Sequence, residues 1–326
     1  MHHPAKAHFY YLLPGFVILA LTSLSLSLLI GSHDISLHQV ISLLSSPDNS
    51  LASQIIHEVR LPRTLSAFAV GGLLALAGAL MQVLLRNPLG DPYVLGVSGG
   101  AASAALFGMI LGVAGWLITP IAFTGAMISI LVVFGLSRFQ SEQQTLLLAG
   151  VVMAAFWGAL ISLTLSLTPP MQLPGMLFWL MGDLSDAQQP FISLLILAAG
   201  LVFSLMIANQ LNIAIYGEEQ AHSLGINTQQ LRLKLYMLTS LLTASAVSIA
   251  GAIGFIGLII PHLLRLLGVT DHRNVLPMSV LAGGSLLVLA DLLARILISP
   301  MQIPVGIFTA LLGVPVFLWL LVRSRS

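Results

Sequence analysis

The sequence predicts an all-α polytopic membrane protein, and three observations carry that prediction. Hydrophobic residues make up 57% of the 326-residue chain and charged residues only 7%, with a mean hydropathy of +1.01, which is incompatible with a soluble fold exposing a polar surface. Uncharged runs long enough to cross a hydrocarbon core ~30 Å thick, about 20 residues as helix, recur along nearly the whole chain. Threading those runs across a bilayer also sorts the 12 basic residues by side.

The first apolar stretch, 9–31, is too long for a signal-peptide core and reads as a retained span. A polar connection follows, with a short helix expected at SLHQVISLL and the motif HEVRLPR at its end. The second span is 64–85, and RNPLGDP marks the turn after it. The uncharged run beyond is too long for one crossing and breaks near Gly115 and Pro120 into spans 93–114 and 118–137. A fifth span, 145–168, ends at Pro169 and Pro170, and a sixth occupies 190–216. The segment between these two is too short to cross, and Trp179 suits an interface. Glycines 251, 254 and 257 and Pro261 interrupt the next long run, which parity divides into 235–252 and 255–268. If both termini lie on the positive side, the number of spans must be even, and 275–297 and 303–322 bring it to ten.

In this threading Lys6, Arg86, Arg138, Arg232, Lys234, Arg265, Arg273, Arg323 and Arg325 share one side, which the positive-inside tendency makes cytoplasmic. Arg60, Arg63 and Arg295 fall on the other. A lone arginine there would snorkel to lipid headgroups, whereas three together favour a docking surface for acidic groups. The net charge of +1 argues against nucleic acid as a partner.

Several function classes are excluded or disfavoured. Zero cysteines rule out disulfides, thiolate metal sites and cysteine nucleophiles, and the scattered histidines make a poor metal site. Glu58, Asp183, Asp186, Asp271 and Asp291 all map near span ends, not at the mid-bilayer depth expected of ion-coupling carboxylates. No metalloprotease, serine-hydrolase or P-loop motif is present, so ATP-driven transport would need a separate ATPase chain. A secondary transporter or channel working without an ATPase remains the alternative.

Small residues crowd the spans in GGLLALAGAL, GVSGGAASAA and AGAIGFIG, where they let helix backbones approach. LALAGALMQ and VSIAGAIGF echo each other between spans of opposite direction, a hint of an inverted internal repeat. The polar connection 217–232 stands out on the cytoplasmic side because Gly217 and Gly225 bracket a short helix-forming run. A rigid helix there suits transmission of a push from an external motor.

RLPRTLSAFAVGGLLALAGALMQ, RNPLGDPYVLGVSGGA, LLLAGV, GEEQAHSLG, GAIGFIGLIIPHLLRLLG with TDHR, and IPVGIFTALLGVPVFLWLL together resemble the BtuC/FecCD family of permease subunits of ATP-binding-cassette importers. The resemblance covers essentially the whole chain. It implies a ten-span type II importer permease in a bacterial inner membrane, both termini cytoplasmic, working as a homodimer. Two ATPase subunits, which bind ATP and Mg, and a periplasmic substrate-binding protein complete the assembly; no cofactor is expected in this chain, and no reaction is catalysed by it. The cargo would be vitamin B12, an iron-siderophore complex or haem. Residue by residue, the resemblance assigns Arg60, Arg63 and Arg295 to binding-protein docking. It assigns Glu218, Glu219, Ala221, Leu224 and Gly225 to contact with the ATPase, and Asn87, Leu89, Gln143 and Gln144 to a cytoplasmic gate.

Overall fold

The computed structural model describes residues 4–31, 35–137, 143–187, 190–298 and 301–323, and among them all regular structure is helical. Helix α1 (Pro4–Leu29) is followed by α2 (Leu37–Ser45), the short helix expected at SLHQVISLL. Ser36 starts it with a reciprocal cap: its hydroxyl accepts from the Gln39 amide, and the Gln39 side chain accepts from the Ser36 amide.

Helix α3 (Leu51–Gln54) passes through a π-helical turn, Ile55–Arg60, directly into α4 (Leu61–Leu84). Helical structure therefore reaches well before the expected start at 64; Pro62 has no N–H to donate to the turn before it, and the π-helical turn falls where that bond is missing. Beyond a 3₁₀ turn at Pro92–Leu95, α5 (Val97–Ile110) is shorter than the expected span 93–114. Gly96, at φ 69°, ends the 3₁₀ turn and delays the helix.

Next come α6 (Gly115–Ser137), α7 (Gln143–Leu167), the short α8 (Leu173–Leu180), and α9 (Pro190–Met206), which bends by 58° into α10 (Ala208–Ala214). Helix α11 (Glu218–Ser223) lies inside the expected polar connection. Asn227 then caps α12 (Thr228–Ala250) by accepting from the Gln230 amide at 3.0 Å, so this helix begins before Arg232 and Lys234, not after them. A non-helical break at residues 251–255 separates α12 from α13 (Ile256–Leu266). Helices α14 (His272–Ile296) and α15 (Val305–Arg323) complete the fold.

Six helical segments among the described residues are long and apolar enough to cross a membrane, and the bent α9 and α10 pair makes a seventh. Helices α5, α13 and α15 are apolar but shorter.

Helix α4 is the centre of the bundle. It is 94% buried through its most apolar window, and α14, α12, α13 and α9 surround it, while α5, α6 and α7 form a neighbouring group. Lipid gives apolar helices no reason to prefer one another, so contact here depends on close backbone approach. Gly71 faces Gly283 of α14, where an added Cβ on Gly283 would stand 2.6 Å from the Gly71 carbonyl oxygen. Gly78 meets the Gly257 backbone of α13 still more closely.

Overpacking a tight interior costs about 1–3 kcal/mol and sometimes more. Gly283→Val should therefore lower the unfolding midpoint of detergent-solubilised protein markedly. Gly15→Ala, with nothing within 4 Å of its position, should leave that midpoint unchanged in the same melt.

Candidate functional site

At one end of α4 the π-helical turn carries Arg60 back toward α1. Its Nη1 donates to the carbonyls of Leu28 and Leu29 at 2.6 and 3.0 Å. These belong to the last turn of α1, whose carbonyls lack partners within their own helix, so the guanidinium acts as a C-terminal cap. Gly31 leaves it the room, since a Cβ there would collide with the Arg60 head group.

One helical turn further, Arg63 donates from Nε and Nη2 to Asp291 of α14 at 3.0 and 2.9 Å and from Nη1 to Gln302 at 2.9 Å. Arg295 approaches the same carboxylate from its own helix, with Nε 3.1 Å from the second oxygen. Its Nη2 donates to the Ser27 hydroxyl at 2.7 Å, and Ser27 also bonds Thr64. Asp291 is completely buried, Arg60 is 4% exposed and Arg63 is 6% exposed.

The three arginines expected as a docking set lie near one another, but packed and not as an outward row of free cations: Arg63 and Arg295 close on Asp291, and Arg60 caps α1 beside them. The reason is electrostatic: guanidiniums wedged between α1, α4 and α14 lose their water and need a carboxylate and carbonyls instead. Three guanidiniums against one carboxylate leave the cluster itself positive, while Glu58 sits in the same π-helical turn as Arg60, and Asp183 and Asp186 shortly precede Ala187, whose carbonyl accepts from Ser66 of α4. The sequence placed Asp291 near a span end without pairing it with the arginines, and Gln302 was missed. The only signal for that pairing was the four-residue spacing of Asp291 and Arg295, which puts both on one helix face.

At the opposite end of α4, Arg86 adopts φ 45° and the chain turns. Asn87, exposed, accepts the Leu89 amide at 2.9 Å, and Leu89 is half-buried. Gln143 begins α7, but its side chain and that of Gln144 lie outside the described residues, so the four gate residues are not brought together here. Asp91 caps the 3₁₀ turn by accepting from Tyr93 at 2.8 Å; burial pushes its carboxyl up, only partly offset by that bond. Tyr93 then spans to the broken helix: its hydroxyl donates to the Ile253 carbonyl and accepts the Ile253 amide, at 3.0 and 3.1 Å. Gln82 makes a second brace, donating to the Leu258 carbonyl at 3.1 Å while accepting from Arg265.

Of the expected ATPase contact set, Ala221 is fully buried while Glu219, Leu224 and Gly225 are exposed, Leu224 by 66%. Gly217 and Gly225 take left-handed φ of 117° and 79°, ending α11 sharply on both sides. The side chain of Glu218 lies outside the described residues. Among the described residues, no group of three His, Asp or Glu is placed to hold a metal ion.

A buried all-helical bundle with broken helices, a cationic cluster at one end and a short exposed helix at the other defines a polytopic membrane permease. The model of the FecCD transport family matches residues 18–323, and the chain belongs to that family. It is 39% identical to the hemin transport system permease protein HmuU of Yersinia pestis, over 97% of this chain and 96% of that one. It is 37% identical to the vitamin B12 import system permease protein BtuC of Klebsiella pneumoniae, over 96% and 93% respectively. An inward-facing structure of a metal-chelate type ABC transporter superposes with a TM-score of 0.86 at 32% identity, covering 96% of this chain and 99% of that one. A structure of PsaBC from Streptococcus pneumoniae shares the fold, with a TM-score of 0.58 at 18% identity.

Removing the shared carboxylate should be costly, because breaking a buried ion pair leaves an uncompensated charge worth about 3–5 kcal/mol. Asp291→Ala should destabilise the detergent-solubilised protein by that order in a denaturant titration. An unchanged midpoint would mean that the cluster is not a structural staple.

Proposed function

We propose that this chain is the membrane-spanning subunit of an ATP-driven importer that moves a metal chelate, namely vitamin B12, a ferric siderophore or haem, into the cytoplasm. The single observation that carries the reading is the near-complete superposition on a metal-chelate type transporter at 32% identity. Relatives named for hemin and for vitamin B12 transport, matched over almost their full length, support the cargo class. In this reading α1, α4, α5, α6, α7, the α9 and α10 pair, α12, α13, α14 and α15 make ten crossings of the bacterial inner membrane, with both termini cytoplasmic.

Two copies form the pathway, and two ATPase subunits, which bind ATP and Mg, attach below. A periplasmic binding protein docks above, at the end that carries Arg60, Arg63 and Arg295. The guanidiniums of this cluster draw acidic side chains of the binding protein. Long-range attraction of this kind sets encounter rate and register more than final affinity. Arg295, the least buried of the three, and Gln302 are the groups an incoming carboxylate reaches first.

The opposite face reads the motor. Exposed Glu219, Leu224 and Gly225 enter a cleft of the ATPase, and buried Ala221 fixes α11 to the permease. ATP binding and hydrolysis then drive alternating access, with Asn87, Leu89, Gln143 and Gln144 closing the cytoplasmic mouth. No bond in the cargo is made or broken.

Reconstitution into liposomes with the ATPase and binding protein should give uptake of one of the three chelates that requires ATP. Uptake driven by an ion gradient in the absence of any ATPase would overturn the importer reading. Within that assay Arg295→Gln should weaken binding-protein affinity roughly threefold to tenfold and flatten its salt dependence, as loss of a partly exposed charge pair does. Leu224→Glu should release the ATPase on purification or leave hydrolysis running without uptake. Normal coupled transport by that variant would remove α11 from the interface.

A further inference from the structure

Helix α10 is a short lever between two joints. It bends by 58° from α9 at Ile207, and it leads through residues 215–217 into α11. Asn212 of α10 bridges to the start of α14. The Asn212 Nδ2 donates to Asp271 Oδ1 at 2.7 Å, and Asn212 Oδ1 accepts the backbone amide of His272 at 2.8 Å. A backbone N–H only donates, so this contact fixes which way the amide points. The His272 ring nitrogen Nδ1, also 2.8 Å from Asn212 Oδ1, must then carry its proton.

Asp271 is itself the N-cap of α14, accepting from Arg273 at 2.9 Å. Asn212 therefore supplies from another helix a second cap, satisfying a donor that α14 leaves unpaired at its first position. His272 is only 2% exposed, so water does not replace that cap. From this bracket α14 runs for 25 residues, about 37 Å at 1.5 Å per residue, to Asp291 and Arg295 near its far end. Along the way it is locked to α4 at Gly71 and Gly283.

We propose that Asn212 is a positioning residue that clamps the lever α10 to α14, so that displacement of α11 by the ATPase reaches the end of the bundle carrying Arg63 and Arg295. The proposal rests on the importer reading and names the link through which that reading's two faces communicate. It makes α14 the moving rod, because both of its ends are bonded to elements that meet a partner.

The test replaces the polar groups of the clamp in the intact complex, reconstituted in nanodiscs with its ATPase subunits and binding protein. Asn212→Asp sets two carboxylates against each other. Binding-protein stimulation of ATP hydrolysis should fall roughly tenfold, the size of a typical coupling free energy, with basal hydrolysis retained. Asp271→Asn alone keeps every bond of the bracket and should be near neutral. Asn212→Leu, close to asparagine in volume, removes both bonds of the bracket without adding a second carboxylate and should lose stimulation to the same extent.

Full stimulation in Asn212→Asp or in Asn212→Leu would overturn the proposal. If Asn212→Asp does not assemble, Asn212→Leu decides: assembly with lost stimulation supports the clamp, and assembly with full stimulation, or failure of both variants to assemble, rejects Asn212 as a coupling residue. A wild-type complex without any ATP-dependent uptake would instead overturn the importer reading itself.

Discussion

The backbone contact between α4 and α14 is the constraint on which the rest of this bundle depends. Hydrophobic burial cannot hold two helices together when the alternative solvent is equally apolar, so dispersion between close-packed backbones has to do it. Gly71 and Gly283 bring the two helices to a separation that no side chain would permit. That contact sets the position of everything threaded around α4, including α13 at Gly78 and Gly257. It also explains why Asp291 meets Arg63. Once the helices are this close, a carboxylate on one and a guanidinium on the other are forced into contact, and the bidentate geometry follows.

Broken helices bring a second requirement, because every peptide group within the hydrocarbon must find a partner. The break at residues 251–255 would leave the end of α12 and the start of α13 with unpaired groups. The structure answers with partners from elsewhere: Tyr93 takes both polar groups of Ile253, Asp183 donates its amide to the Ala250 carbonyl, and Gln82 reaches the Gly257 carbonyl, which Pro261 leaves without an in-helix donor. Tyr93 belongs to the 3₁₀ turn that follows RNPLGDP, Gln82 to α4, and the Asp183 amide to the segment after α8. The turn is thus tied to the break, and movement of one displaces the other.

Much of this was legible in the sequence, and the misses have a common cause. Hydropathy and glycine or proline breaks report depth along the membrane normal, so the apolar helices, the short α2 and the polar α11 segment were all visible as stretches. The charge pattern likewise singled out Arg60, Arg63 and Arg295 as a group. Depth says nothing about azimuth, however. Whether Asp291 points to lipid, water or Arg63 depends on which face of α14 packs on α4, and a single sequence does not encode that directly. Helix limits failed where local capping overruled composition. Asn227 starts α12 before Arg232 and Lys234, which looked like the edge of a span, and Gly96 shortens α5 at a place where hydropathy is continuous. Asn212 and Gln82 went unnoticed for the opposite reason, since a lone amide in an apolar helix carries no periodic signal.

The properties of α11 follow from its length. Six residues are far too few to hold helical structure in water, where even helices of about 12–15 residues are marginal. Its shape must be supplied by what it touches: Gly217 and Gly225 end it in conformations that other residues resist, and Ala221 sinks completely into the permease. A helix stabilised only through its anchor does not move independently of that anchor. Force applied to its exposed residues is therefore delivered to α10 without loss in local unfolding, and the bend at Ile207 gives α10 a place to turn. Where α10 goes next is decided by Asn212, because a short polar contact resists shear far more than the smooth apolar surfaces on either side of it.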